Sequence, residues 1–425
     1  MLFWKKWRWP VLAVIALAFL LSWRLLAQPV VTVSVLMQAL EKAQWESLVS
    51  QFNSEHDNIR LEVIEGPNAS DQVQDLYTTS FLLGNSPYDL VYMDIVWVPK
   101  FAAAGWLRSL NEFLEAETSN SELLPEFLAG DVAGGSYQGK LYRMPFRSDA
   151  GMLYYRTDLL EDIGAEPPET FQELMEISAK LQSEGRVPWG YLWQGKQYEG
   201  LSAMFVEILQ GFGAFWVDPG TLEVGLDQPN AIAAVEFLRR TVTEGISPPG
   251  VTTYAEEETR RLFQSGDATF LRNWPYVYEL ASQPDSAIAG KFAIKPMVSQ
   301  PGQASGACLG GWGLGIAQST KHPEAAWEVV KFMSSAASQK KFVIETGYVP
   351  SRWALFNDPE IVAKFPYYPD LLSVVESSVL RPPIAQYAQA SDILQRYLSA
   401  AIVGSLAPEK AMRIAARETR QLLAR

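Results

Sequence analysis

Three short apolar runs separated by two amphipathic segments set the strongest limit on what this chain can fold into. VVTVSVLM (30–37), IRLEVIEG (59–66) and YDLVYMD (88–94) each read as a strand. Between the first two, Trp45, Leu48, Val49 and Phe52 recur at helical spacing; between the second and third, Val73, Leu76, Tyr77 and Phe81 do the same. Strand, helix, strand, helix, strand is the order of an α/β layer with parallel strands, so this part is expected to be doubly wound. At 425 residues the chain is too long for one ordinary hydrophobic core, which points to two lobes.

The text changes at GGSYQGKLYRMPFRSDAGMLYYR (134–156), where turn residues lead into two strand-like pieces, a candidate crossing between lobes. Pro167-Pro168 and a Thr170-x-x-Glu173 capping box open a helix, and further helices are expected near 203–210 and 231–243. A strand reaching Trp274-Pro275, two more in KFAIKPM and LGGWGLGIA, a helix in KHPEAAWEVVKFMSS and a helical end from Ser391 complete the pass. There is no internal repeat and no low-complexity tract.

Residues 1–28 differ from everything after them. Lys5, Lys6 and Arg8 precede an apolar block over 11–23 that Arg24 interrupts, which is the pattern of an export signal. The block is short for a membrane span, which favours a signal peptide. The indole side chains of Trp4, Trp7, Trp9 and Trp23, and the lack of a clear small-residue cleavage site, suit a retained anchor. Either way the remainder is expected outside the cytoplasmic membrane. The single cysteine, Cys308, excludes an intramolecular disulfide. The net charge of −13 becomes more negative without the leader, which disfavours nucleic acid and anionic membrane surfaces as partners.

Within the third strand, Asp94 stands among Leu90, Val91, Tyr92, Met93, Ile95, Val96 and Trp97. An acid there must cap, pair or face a cleft. His56 lies in a polar turn and His322 precedes Pro323, so neither reads as a general base or metal ligand. No zinc pattern is present; GGWGLG lacks the lysine of a nucleotide-binding loop and the GxGxxG spacing. No cofactor and no metal are expected.

Six segments together resemble the extracellular solute-binding proteins (family 1) of ABC transporters, in the branch that binds trehalose, maltose and related sugars. They are FNSEHDNIRLEV, YDLVYMDIVWVPKFAAAGWL, GKLYRMPFRSDAGMLYYRTDLL, FQSGDATFLRNWPYVYEL, LGGWGLGIA with KHPEAAWEVVKFM, and GYVPSR. The resemblance implies a two-lobed, periplasmic-binding-protein-like (type II) α/β fold, each lobe a doubly wound sheet with flanking helices. It divides the chain, after the leader at 1–28, into 29–140 (lobe 1), 141–285 (lobe 2), 286–338 (lobe 1) and 339–425 (lobe 2, the C-terminal helical part).

By the same resemblance Glu41, Asp94, Asp149, Trp274, Tyr276, Gly311, Trp312 and Arg381 face the ligand. Arg147 stands where many sugar binders carry an aromatic. The implied ligand is a di- or oligosaccharide or a glucosyl-type compatible solute, of the trehalose, maltose, sucrose or glucosylglycerol class. The implied partners are ABC permease subunits, with a monomer in the periplasm or on the outer face of the cytoplasmic membrane, held to the membrane if the leader is retained.

The chemistry is consistent with that set. Ionised carboxylates accept hydroxyl protons, arginine donates in a fork, and indole or phenol rings cover the apolar face of a sugar. Each residue also has an ordinary role. Asp94 can cap a helix, Glu41 can be a first-turn acid, Asp149 can hold a turn and Trp274 can be core. Tyr276 is balanced between the two readings, Arg147 and Arg381 can be ion pairs, and Trp312 between glycines is harder to place as core. The rival function is a secreted glycoside hydrolase with Asp94 and Asp149 as its carboxylates, and a third is a structural envelope protein.

Overall fold

The computed structural model describes residues 30–424 apart from Ala69, Asn85 and 117–123; the expected leader at 1–28 lies outside the described residues. No described helix is long and apolar enough to cross a membrane. The sequence-expected opening is present as β1 (Val31–Gln38), α1 (Ala39–Glu55), β2 (Ile59–Gly66), α2 (Ser70–Leu82) and β3 (Leu90–Asp94). β1 runs parallel to β2 and β3 on either side, and its residues 33–37 are all buried, as a central strand covered on both faces requires. β2, at the sheet edge, starts with buried and exposed positions alternating.

The elements that follow and carry the argument are α3 (Ala129–Gly134), β4 (Met144–Ala150), β5 (Met152–Arg156), α4 (Phe171–Ser183), β6 (Trp189–Leu192), α5 (Glu199–Gly211), α6 (Pro229–Thr243), β7 (Ala268–Asn273), β8 (Phe292–Lys295), β9 (Ala307–Ile316), α7 (Pro323–Ser334), α8 (Ala336–Thr346), β10 (Ser378–Val379), α9 (Tyr387–Ile402) and α10 (Pro408–Leu423). The capping box of α4 is closed in both directions: Thr170 Oγ1 accepts from the Glu173 amide at 3.1 Å, and Glu173 Oε2 accepts from the Thr170 amide at 3.0 Å.

The strands form two main sheets. The first has the order β10-β9-β3-β1-β2 with β4 also paired to β9; the second has the order β8-β5-β7-β6. β9 is antiparallel to both β3 and β4, and β5 is antiparallel to β7 and β8. Trp45, Phe52, Tyr92, Phe101 and Phe146 pack in the core around the first sheet. Tyr191, Trp193, Phe205, Leu238 and Leu394 pack in one core of the second lobe, and Tyr154, Phe263, Phe292 and Tyr368 in another.

Strand pairing moves the expected boundaries. β4 belongs to the first sheet, so the chain crosses at Gly151 between β4 and β5, not at 141. β8 pairs with β5, so the second lobe continues past 286 and the return comes between Lys295 and Ala307. A boundary at 339 would cut α8, whose Phe342 packs in the first core and Val343 in the third. The first two shifts share one cause: the partner of each strand is distant in sequence, and periodicity carries no trace of it.

Candidate functional site

Asp94, Trp312 and Arg147 stand opposite one another on β3, β9 and β4, so they form one row across three strands and share a face. The row lies at the C-terminal end of β3, the end of an α/β sheet where ligands are bound. Asp94 does both things open to it from sequence. Its Oδ1 caps the short 3-10 turn Ile95–Trp97 by accepting from the Val96 amide at 3.1 Å, and accepts from Arg381 Nη2 at 3.2 Å.

Arg381 follows β10, and its other arm donates from Nη1 to Glu199 Oε1 at 2.9 Å. It therefore joins the first sheet to the start of α5 in the second lobe. The pair is not a surface one: Arg381 is 6% exposed, with Nε lacking a partner. Tyr387 and Ser391 on α9 also donate to Glu199. A cavity of about 390 Å³ opens beside this bridge, walled by Asp94, Trp97 and Lys100 on one side and Tyr198, Glu199 and Tyr387 on the other. That volume falls in the small-molecule range of roughly 300–1,000 Å³.

Arg147, which stands where many sugar binders carry an aromatic, is the most connected of the sequence candidates. Nη2 donates to Glu41 Oε1 at 2.6 Å and Nε to Tyr92 Oη at 3.0 Å, and Nη1 stands 3.7 Å from Asp149 Oδ2. Its guanidinium lies 4.4 Å from the Tyr348 ring centre and 5.6 Å from that of Trp312. Glu41 is accordingly no solvated first-turn acid; it is 6% exposed, and its Oε2 has no protein partner. Asp149 keeps 25% of its side chain exposed; burial pushes its carboxyl up to about 6, against the pull of Arg147.

Trp312 is 8% exposed and packs between Tyr92 and Trp97, ring centres 5.0 and 5.3 Å away. It is a core residue, contrary to the expectation from its glycine neighbours. The glycines lie in the middle of β9, and their smallness serves the protein itself. Gly311 has φ +118°, and a Cβ there would stand 2.8 Å from the Arg147 carbonyl oxygen and 3.1 Å from Asp131 Oδ1. Beneath it, Asp131 and Arg143 are fully buried with charged atoms 3.8 Å apart, and burial pushes Asp131 up to about 7 against Arg143.

The second lobe supplies the aromatic side. Trp274 is half-buried, donates from Nε1 to Glu256 Oε1 at 3.3 Å and has the Arg272 guanidinium 4.2 Å from its ring centre. Tyr276 donates to Glu257 Oε1 at 2.9 Å. Trp274 also comes within van der Waals reach of the position a Cβ on Gly310 would take, beside Asp149, so the two lobes meet there.

Sequence reading passed over Glu199, Arg272 and Glu207. Arg272 donates from Nε to Glu207 Oε2 at 2.7 Å, both side chains fully buried, and the Cys308 amide donates to Glu207 Oε1 at 3.0 Å. The signal for Glu207 was available, since it is an acid inside the apolar run AMFVEILQ, the same anomaly that marked Asp94.

With this geometry in hand, comparison with known proteins is specific. Residues 38–340 match the family described as bacterial extracellular solute-binding protein. The chain belongs to that family. A probable ABC transporter-binding protein of Deinococcus radiodurans is 30% identical over 361 residues, 83% of this chain and 84% of that protein. The maltotriose-binding protein of Pyrococcus abyssi is 26% identical over 329 residues, 76% of this chain and 67% of that one. The maltose-bound MalE3 structure of T. maritima is 35% identical and superimposes with a TM-score of 0.82, covering 92% of this chain and all of that one. The two-lobed arrangement of the family's structures is the one described above, and these relatives are solute-binding proteins rather than enzymes.

Proposed function

We propose that this chain is the carbohydrate-capturing subunit of an ABC importer, working outside the cytoplasmic membrane and delivering a sugar to membrane permease subunits. The observation that carries the reading is the pairing of acceptors with an aromatic face across the two lobes. Asp94 and Asp149 stand on the first sheet, Glu199 opens α5, and Trp274 and Tyr276 follow β7. Carboxylates that already hold an arginine keep lone pairs for sugar hydroxyls, and a ring can cover the sugar's C–H face. The maltose and maltotriose in the names of two relatives support a di- or oligosaccharide as the ligand. Glucosyl-type compatible solutes of the same size present the same groups.

In this reading Glu41, Asp94, Asp149, Trp274, Tyr276 and Arg381 form the ligand site, with Gly311, Trp312 and Arg147 as its floor. The lobes close on the sugar about the chain crossings at Gly151, between β8 and β9, and after β10. The protein acts as a monomer, in the periplasm or on the outer face of the membrane, attached through residues 1–28 if they are retained.

One observation favours the hydrolase reading: the raised Asp149 carboxyl is what a general acid needs. Against it, Asp149 Oδ1 accepts from the Ala150 amide at 3.1 Å and Oδ2 faces Arg147, an arrangement for holding charge in place. Tryptophan fluorescence of the chain from Pro29 onward, which includes every described element, tests the proposal. Trehalose, maltose, sucrose, glucosylglycerol, maltodextrins and mannitol are the panel. A saturable change with at least one sugar, recovered unaltered, is expected; silence throughout, or product release, contradicts it.

A further inference from the structure

Resting on the carbohydrate reading above, we infer that Glu199 is the second lobe's ligand acceptor and that Arg381 is a positioning residue, holding Glu199 and Asp94 in place from behind the cavity wall without touching the sugar. The wall includes Asp94 on one side and Glu199, Tyr387 and Ser391 on the other, and Arg381 is not part of it. The Arg381 side chain is 4% exposed, against 20% for Asp94 and 41% for Glu199. Both of its terminal nitrogens are engaged, Nη2 with Asp94 Oδ1 at 3.2 Å and Nη1 with Glu199 Oε1 at 2.9 Å, and Nε is buried. A guanidinium is a rigid planar fork, so one arginine fixes both the separation and the direction of the two carboxylates it holds.

The fork leaves acceptor capacity on each carboxylate. Asp94 accepts from the Val96 amide and from Arg381 on the same oxygen, Oδ1, so Oδ2 remains for a ligand hydroxyl. Glu199 is held by Arg381 and Tyr387 on Oε1 and by Ser391 on Oε2, the last at 2.6 Å. A carboxylate offers roughly four lone-pair sites, so Glu199 Oε2 keeps one. Tyr387 and Ser391 stand on α9 and Arg381 follows β10, so two separate pieces of chain orient Glu199. With Asp94 on the first sheet and Glu199 at the start of α5, a sugar that gives one hydroxyl to each is gripped by both lobes.

The test is a double-mutant cycle read by calorimetric titration of maltose and trehalose into the chain from Pro29 onward, with thermal unfolding as the check that each variant folds. Glu199→Gln and Arg381→Gln are each expected to weaken binding roughly tenfold or more. An arginine that acts through Glu199 loses part of its effect once Glu199 is changed, so the loss in Glu199→Gln/Arg381→Gln is expected to be at least about threefold smaller than the product of the two single losses. Arg381→Lys keeps a cation but not the fork, and is expected to weaken binding as well. Should Arg381→Gln unfold, Arg381→Lys takes its place in the cycle. A direct bond from Arg381 to the sugar makes the losses multiply. Multiplying losses in folded variants, full affinity in Arg381→Lys, or full affinity in Glu199→Gln overturns the inference and leaves the carbohydrate reading standing. Silence of the wild type toward both sugars overturns the carbohydrate reading, and the inference with it.

Discussion

Asp94 is held by the Val96 amide and the Arg381 guanidinium at the cavity wall, so in the proposed site its carboxylate is a fixed acceptor. Asp94→Asn keeps the cap and removes the charge; its expected effect is the loss of one charge-assisted hydrogen bond, about 1.5–3 kcal/mol, which calorimetry reads as a tenfold or larger weakening. The raised carboxyls give a second prediction. Asp149, at about 6, and Asp131, at about 7, bind more protons in the folded than in the unfolded chain between their ordinary value of 3.8 and those raised values. Their contribution to stability is therefore fully present below pH 3.8 and is lost as pH rises through 6 and 7. An ionised carboxylate is the stronger hydroxyl acceptor, so ligand affinity changes in the opposite sense and weakens as pH falls through 6. Denaturant midpoints and titrations at pH 5 and 7.5 check both signs, and Asp131→Asn removes its share of the stability slope. Asp94 was legible because an acid in an apolar run has few explanations. Arg147 was visible only as a departure from a pattern, since its Glu41, Tyr92 and Tyr348 contacts come from chain segments far apart.

Gly311 and Glu207 matter through the elements they let meet. β4 and β9 approach with Gly311 at φ +118°, so Gly311→Ala combines strained backbone with contact at the Arg147 carbonyl and is expected to cost roughly 1–3 kcal/mol in thermal unfolding. Glu207 ties α5 to β7 through Arg272 and to β9 through the Cys308 amide. Glu207→Ala leaves a buried, unpaired arginine and is expected to cost about 3–5 kcal/mol in urea denaturation, with Glu207→Gln milder. Helices and strands were largely readable: the capping box of α4 and the apolar spacing of α1 and α2 each marked an element. LGGWGLGIA reads as a strand and is one; its glycines left Trp312 hard to place as core, whereas here each glycine makes room for a neighbouring strand or side chain.

At the scale of the molecule, the alternating order at the start fixed the α/β class, while the joins between lobes depended on strand partners distant in sequence. β4 leads directly into the second lobe and β9 returns from it, the two strands are paired to each other, and Arg381 bridges the two lobes at the cavity. A ligand gripped by both halves stabilises the folded chain by mass action, about 2.7 kcal/mol at a hundredfold excess over Kd, which appears as a raised unfolding temperature. The central claim is that a sugar binds, unaltered, against Asp94 and Asp149 between the lobes. Calorimetric titration of maltose and trehalose into the chain from Pro29 onward and into Asp94→Asn, with the sugar recovered afterward, tests it most directly. The account predicts saturable binding of at least one of them, weakened tenfold or more in the variant, with the sugar intact. No binding to either, equal affinity in a folded variant, or release of glucose would contradict it.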